Sequence, residues 1–340
     1  MPLFSHQHLR VLLQQQLVRV NTAPEIAKKV ADNLVEASLK GHDSHGVTLL
    51  PRYIRAILAG DLNANAELKT VRDAGPILSF EGGHGFGQLL GEQAMTAGIE
   101  RVRQFGVAIV GLANSHHLGR IGAWAEQVAD AGLVSIHFAN VAAPSAVLPF
   151  EGLRPRLGTN PFCVGIPLQN RPPVVLDFAT SAIAGNKARV AWNEGRQIPE
   201  GCAVDANGQP TTDPGVLMTE PRGALLPFGG HKGAGLSLIC SLLGAALTGG
   251  ETESHQIPPR AGIINNMLSI LFDPQRLGAG EHYQQELLAQ VDWVRNDQQG
   301  RDVQIPGEPE RRAYARRQQE GIHIDEVSWG EFMALETLSA

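Results

Sequence analysis

Apolar residues recur at helical spacing near the start of the chain: Ile26, Val30, Leu34 and, one position later, Leu39 form a stripe that stops at Gly41. This predicts a helix opening at Thr22-Ala23-Pro24-Glu25. That stretch has capping-box spacing, in which the Thr22 hydroxyl and Glu25 carboxylate would satisfy amide donors. A helix over Gln7 to Leu17 precedes it, so the segment before Gly41 reads as a helical hairpin. From about Thr70 the pattern changes to short apolar runs separated by helical stretches such as Gly87 to Phe105. Runs at 77–80, 107–112, 133–138, 162–166 and 174–178 read as strands of one large sheet, and an apolar helix is expected over Leu236 to Leu247.

Composition narrows the possibilities. A formal charge of -6 and the absence of a basic stripe exclude a general nucleic-acid binder. No stretch stays apolar for the roughly 20 residues of a spanning helix, and the N-terminus lacks a basic region followed by an apolar run, so a cytoplasmic protein without a membrane partner is expected. Cys163, Cys202 and Cys240 are too widely spaced for a zinc knuckle and are expected to be reduced and buried.

The candidate chemistry lies in two glycine-flanked histidine segments, Gly41-His42-Asp43-Ser44-His45-Gly46-Val47 and Asn114-Ser115-His116-His117-Leu118-Gly119-Arg120-Ile121-Gly122. Each falls where a regular element meets a loop. Imidazole exchanges a proton near neutral pH without a large shift, which points to acid/base catalysis. Neighbouring residues of an extended segment face opposite sides, so His117 takes the pocket side and His116 a structural one. No Gly-x-Gly-x-x-Gly opens a helix after a strand, which disfavours a Rossmann domain. Gly229-Gly230-His231-Lys232-Gly233-Ala234-Gly235 could hold a phosphate at a helix start, and could equally be a turn.

The order of the segments resembles the malate/L-lactate dehydrogenase family of non-Rossmann nicotinamide-dependent oxidoreductases. The resemblance rests on Asp43-Ser44-His45-Gly46-Val47, Ser115-His116-His117-Leu118-Gly119, Gly158-Thr159-Asn160-Pro161-Phe162, Leu176-Asp177-Phe178-Ala179-Thr180-Ser181, Gly208-Gln209-Pro210-Thr211-Thr212-Asp213-Pro214, Gly230-His231-Lys232-Gly233 and Ile305-Pro306-Gly307-Glu308. Within the family the chain looks most like the broad hydroxycarboxylate dehydrogenases. The resemblance implies an α/β fold with a large mixed, mainly antiparallel sheet, a smaller domain and the N-terminal hairpin. The corresponding division is a helical region over 1–69 with the Ser-His-Gly motif, a smaller α/β domain from 70–118 and 300–340, and an NAD(P)-binding domain over 119–299. The segment after Pro306 is expected to pack onto the early part of the chain.

By the same resemblance the protein would be a homodimer that interconverts 2-hydroxy and 2-oxo acids with NAD or NADP. Its acid/base would be His45 or His117, with His45 favoured. Cofactor contacts would fall on His45, Gly119, Arg120, Ile121, Val175, Leu176, Asp177, Phe178, Ala179, Thr180, Ser181, His231, Lys232, Asn265, Gly307, Glu308 and Glu310. Many members carry an Arg four residues past the His of Ser-His-Gly, and this chain has Leu49 there. Arg52 or Arg120 would then neutralise the substrate carboxylate, with Leu49 against an apolar tail. Lys187, Arg189 and Arg120 are all candidates to meet the 2'-phosphate of NADP. A cyclic-imine reductase is the alternative substrate reading. A metal-assisted hydrolase built on His42 and His45 is a second, lacking a third ligand at recognisable spacing. Read without the resemblance, His45 serves equally well as a helix-end cap.

Overall fold

A computed structural model describes residues 3–255, 257–296 and 299–335. The ends of the expected segments 1–69 and 300–340, residues 1–2 and 336–340, lie outside them. The chain opens with β1 (Leu3–Phe4), α1 (His6–Arg19), α2 (Pro24–Leu39) and α3 (Leu50–Leu58). β2 (Lys69–Ala74), β3 (Ile77–Glu81), α4 (Gly87–Phe105), β4 (Val107–His116), α5 (Gly122–Asp130), β5 (Val134–Ala142), β6 (Pro161–Leu168) and β7 (Arg171–Ala179) follow. Then come α6 (Gly185–Asn193), β8 (Ala203–Val204), β9 (Pro210–Thr211), β10 (Ala224–Leu225), α7 (His231–Ser241), β11 (Ile264–Phe272) and α8 (Gly280–Arg295). α9 (Glu308–Glu320), β12 (Ile322–His323) and α10 (Glu326–Ala334) complete the order.

The main sheet runs β2-β3-β4-β11-β5-β6-β7. Only β3 and β4 pair in parallel, joined by the crossover helix α4; the other pairs are antiparallel. This is the mixed, mainly antiparallel sheet expected. It contains strands from both 70–118 and 119–299, so the boundary expected near residue 118 falls between strands of one sheet. α4 and α5 cover one face: Leu90, Met95, Ile99, Trp124 and Val128 pack on Val110, Leu112, Met267 and Leu271. α7 crosses the opposite face. It begins at His231, five positions before the expected start, and passes into a π-helical turn over Leu242–Ala246. A three-stranded sheet, β10-β8-β9, forms a small layer near α6.

The N-terminal helices own a separate core. Leu9, Leu13 and Leu17 of α1 meet Val30, Leu34 and Val35 of α2, with Leu49, Tyr53 and Ile54 and the C-terminal Ile322 and Phe332 closing it. The end of the chain thus returns to its start, through β1–β12 pairing and a two-pronged contact of Arg317 with Asp43 at 2.5 and 2.9 Å. The capping box expected at Thr22 does not form. Ala23 is the N-cap of α2, its amide donates to Asn65 Oδ1 at 2.8 Å, and the Thr22 hydroxyl is buried without a partner. A distant asparagine side chain has taken the role the local motif offered.

Candidate active site

α2 ends in a Schellman turn that delivers the first histidine segment. The Gly41 amide bonds Ser38 O and the His42 amide bonds Ala37 O, with Gly41 at φ +83°, a left-handed conformation that glycine adopts without strain. The next turn presents Ser44 and His45, and Asn186 Nδ2 of α6 fastens it by donating to Ser44 O at 2.9 Å. The second segment leaves the end of β4. It is seated against α4 at Gly87, where a Cβ would lie 2.3 Å from His117 O, so the close approach requires glycine.

These segments converge on a cleft of about 480 Å³. Its wall includes His45, His117, Arg52, Lys187, Asp177 and Asn265. The His45 and His117 rings stack with centroids 5.4 Å apart. His45 Nδ1 lies 2.9 Å from Ser44 Oγ, and His117 Nδ1 lies 2.6 Å from the Tyr53 hydroxyl, which leaves Nε2 of each ring for a ligand. Burial holds both imidazoles below their ordinary pKa. His42, Lys187 and Arg120 add to that effect at His45, and His45 and His116 add to it at His117. Two neutral imidazoles therefore share one dry wall. His116 faces away from the cleft and accepts from the Ile263 amide at 3.2 Å, bracing the strand end.

The two arginines differ sharply. Arg120 is almost wholly buried, bonded to Glu126 and close to Asp177, so its charge is already balanced. Among the described residues Arg52 donates to the carbonyls of Ala261 (3.0 Å) and Gly262 (3.4 Å), forms no ion pair, and keeps its net charge at the cleft. Leu49 does not reach the site. It is fully buried in the N-terminal core because the turn entering α3 directs it inward, which overturns its expected role against a substrate tail.

Of the expected cofactor positions, Gly119, Arg120, Ile121, Asp177, Phe178, Ala179, Ser181 and Asn265 join His45 on the cleft wall. Asp177 accepts from the Gly122 amide at 2.7 Å, and Asn265 ties Leu118 N to Asn140 O, each at 2.9 Å. The others lie outside that wall. Val175 is in the sheet core, Leu176 is on the outer side of edge strand β7, and the Thr180 hydroxyl donates to Thr159 O and Asn160 O. His231 and Lys232 form the first turn of α7, with His231 against Phe150. Gly307 packs on Val175 N, Glu308 binds Arg295, and Glu310 meets His42 at 3.2 Å.

Sequence reasoning missed Tyr53, Gln88 and Asn186. Tyr53 and Gln88 sit on buried helix faces where any large side chain reads as core; the Tyr53 hydroxyl reaches the cleft residue His117, and Gln88 lies behind it on Tyr53. Among the described residues no three His, Cys, Asp or Glu side chains gather as a metal site, and no helix is long and apolar enough to cross a membrane.

Comparison with known proteins places this geometry in context. The model of the family described as malate/L-lactate dehydrogenase matches residues 4–333. Hydroxycarboxylate dehydrogenase B of Escherichia coli (strain K12) is 45% identical over 332 residues, covering 96% of this chain and 91% of that one. The solved sulfolactate dehydrogenase of Methanocaldococcus jannaschii superposes with a TM-score of 0.87 at 31% identity, covering 99% and 97% of the two chains. Delta1-piperideine-2-carboxylate reductase of Pseudomonas syringae gives 0.84 at 32% identity, covering 98% and 100%.

Proposed function

The chain belongs to the malate/L-lactate dehydrogenase family, and we propose that it interconverts 2-hydroxy and 2-oxo acids with NAD or NADP, using His45 as the proton donor and acceptor. The observation that carries this reading is the stacked pair of neutral imidazoles, His45 and His117, on the wall of a cleft that also holds Arg52, a cation with no carboxylate partner among the described residues.

The wall suits a nicotinamide cofactor. Gly119 and Ile121 offer a slim backbone edge, and the first turn of α6 supplies Gly185, Asn186 and Lys187 beside it, donors suited to an anionic group. When bound, the cofactor supplies or accepts the hydride at substrate C2. Arg52 binds the C1 carboxylate, so the C2 oxygen points toward the histidines. During oxidation the Nε2 lone pair of His45 takes the hydroxyl proton, which requires the tautomer whose Nδ1–H points to Ser44 Oγ, 2.9 Å away. During reduction the imidazolium returns it. The anionic substrate favours that imidazolium, offsetting the burial that keeps the empty site neutral.

A homodimer in the cytoplasm accompanies this proposal, resting on the family resemblance. The reaction is tested with a reduced cofactor carrying deuterium at the transferable C4 position. The product 2-hydroxy acid should gain one deuterium at C2, and a product without that label would refute direct hydride transfer.

A further inference from the structure

A buried chain of hydrogen bonds runs from α4 through α3 to the cleft. Gln88 Nε2 donates to the Tyr53 oxygen at 2.9 Å, and that oxygen lies 2.6 Å from His117 Nδ1. Gln88 is 2% exposed, Tyr53 0% and His117 7%, so water does not compete for these bonds. A phenol has one hydrogen. Because its oxygen receives the Gln88 amide, that hydrogen is directed to His117 Nδ1, which accepts it. A neutral imidazole accepting at Nδ1 carries its own proton on Nε2.

Two further observations support this direction. Burial pushes the Tyr53 phenol well above its ordinary pKa, so it keeps the hydrogen it donates. Gln88 Oε1 is left without a partner, whereas reversing the amide would strand its NH2 group instead. A buried carbonyl short of partners is tolerated more often than a buried N–H.

We propose that Tyr53 and Gln88 are positioning residues that lock His117 as the Nε2–H tautomer, so that His117 offers the substrate's C2 oxygen a hydrogen-bond donor and leaves proton transfer to His45. The assignment of His117 to the C2 oxygen rests on the reaction proposed above. In reduction the His117 Nε2–H polarises the carbonyl while His45 gives up its proton to the same oxygen. In oxidation His117 holds the oxygen while His45 accepts the proton. The stacked rings thus do different work because their Nδ1 atoms have different partners, a hydroxyl from α3 for one and the adjacent Ser44 for the other.

The test uses protein labelled with nitrogen-15 at histidine, with His117 assigned by the signals lost in His117→Gln. Long-range proton–nitrogen correlation should show His117 Nε2 protonated and Nδ1 as an acceptor. Tyr53→Phe keeps the ring's volume and removes the donor, so the two nitrogen shifts should move toward each other as tautomers mix. Gln88→Glu provides a carboxylate that accepts the phenol hydrogen, which should reverse the chain and protonate Nδ1. Both variants should lower kcat by about tenfold to a hundredfold with KM changed less than about twofold. A protonated Nδ1 in the wild type, or an unchanged tautomer in Tyr53→Phe, would overturn the proposal. The nitrogen spectra need no turnover. A locked Nε2–H in a protein that reduces no 2-oxo acid would sink the proposed reaction, and active enzyme with the opposite tautomer would sink the lock alone.

Discussion

The rings of His45 and His117 lie 20° from parallel with their centroids 5.4 Å apart, although 72 positions separate them in the chain, 117 minus 45. Two imidazoles this close are not both imidazolium, because the second charge would sit against the first in a dry cleft. One imidazolium beside one neutral ring is the state that moves a single proton per turnover.

The low pKa of these rings sets the pH profile. Reduction needs the imidazolium, so kcat/KM for a 2-oxo acid should rise close to tenfold per unit as pH falls from about 8 to about 6. Oxidation of the hydroxy acid needs the neutral ring and should be nearly flat over that range. Steady-state rates in both directions check this; a reduction profile that is level below about pH 7.5 would contradict it.

Arg52 and Arg120 should separate cleanly. Arg52→Leu should raise KM for the 2-oxo acid about tenfold or more, since a charge-assisted bidentate grip is lost. Arg120→Met should instead cost about 3 kcal/mol of stability, because Asp177 and the half-buried Glu126 would lose the guanidinium between them, Glu126 keeping only Lys40. Kinetics and denaturant titration on both variants read the two effects apart.

Leu49→Ala should behave as a core substitution. Removing a fully buried leucine side chain from the N-terminal cluster should cost about 2–5 kcal/mol and leave KM unchanged. A shift in preference among substrates with apolar tails would return Leu49 to the site.

Acid should destabilise the fold steeply. His137 lies between Ser269 Oγ (2.8 Å) and Ser135 Oγ (2.9 Å), and burial pushes it down to about 3; His116 is held at about 3 by burial, then by Arg52 and His84. Their folded pKa values lie below the unfolded one, so their neutral state supports the fold fully above about pH 6.5 and that support fades from there toward pH 3. Each contributes a slope of about 1.4 kcal/mol per pH unit across that window. His137→Asn should lower stability at pH 7.5 yet flatten the acid slope by about one histidine, measured by urea unfolding at several pH values.

The sequence carried β3 to β7 of the main sheet, the hairpin and both histidine loops, since each depends on local periodicity and glycine breaks, but it did not carry β2 or the central β11. What it did not carry was the identity of partners distant along the chain. Asn65 displaced the Thr22 cap from 42 positions away, 65 minus 23. Arg120 looked like a free cation until α5 brought Glu126 against it. The spacing of Leu49 from His45 matches that of the family arginine and points to the pocket, but the turn entering α3 directs it into the core. Tyr53 and Gln88 share a helical spacing with ordinary core residues, and nothing in that pattern distinguishes a hydroxyl bonded to His117.

The most direct measurement follows reduced-nicotinamide absorbance with NADH and NADPH against pyruvate, oxaloacetate, phenylpyruvate and a cyclic-imine carboxylate, in wild type, His45→Gln and His117→Gln. The proposed chemistry predicts oxidation of the cofactor with at least one 2-oxo acid. That rate should fall by about 10²–10⁴ in His45→Gln and by a smaller factor in His117→Gln. Absence of turnover with every 2-oxo acid, or an undiminished rate in His45→Gln, would contradict it.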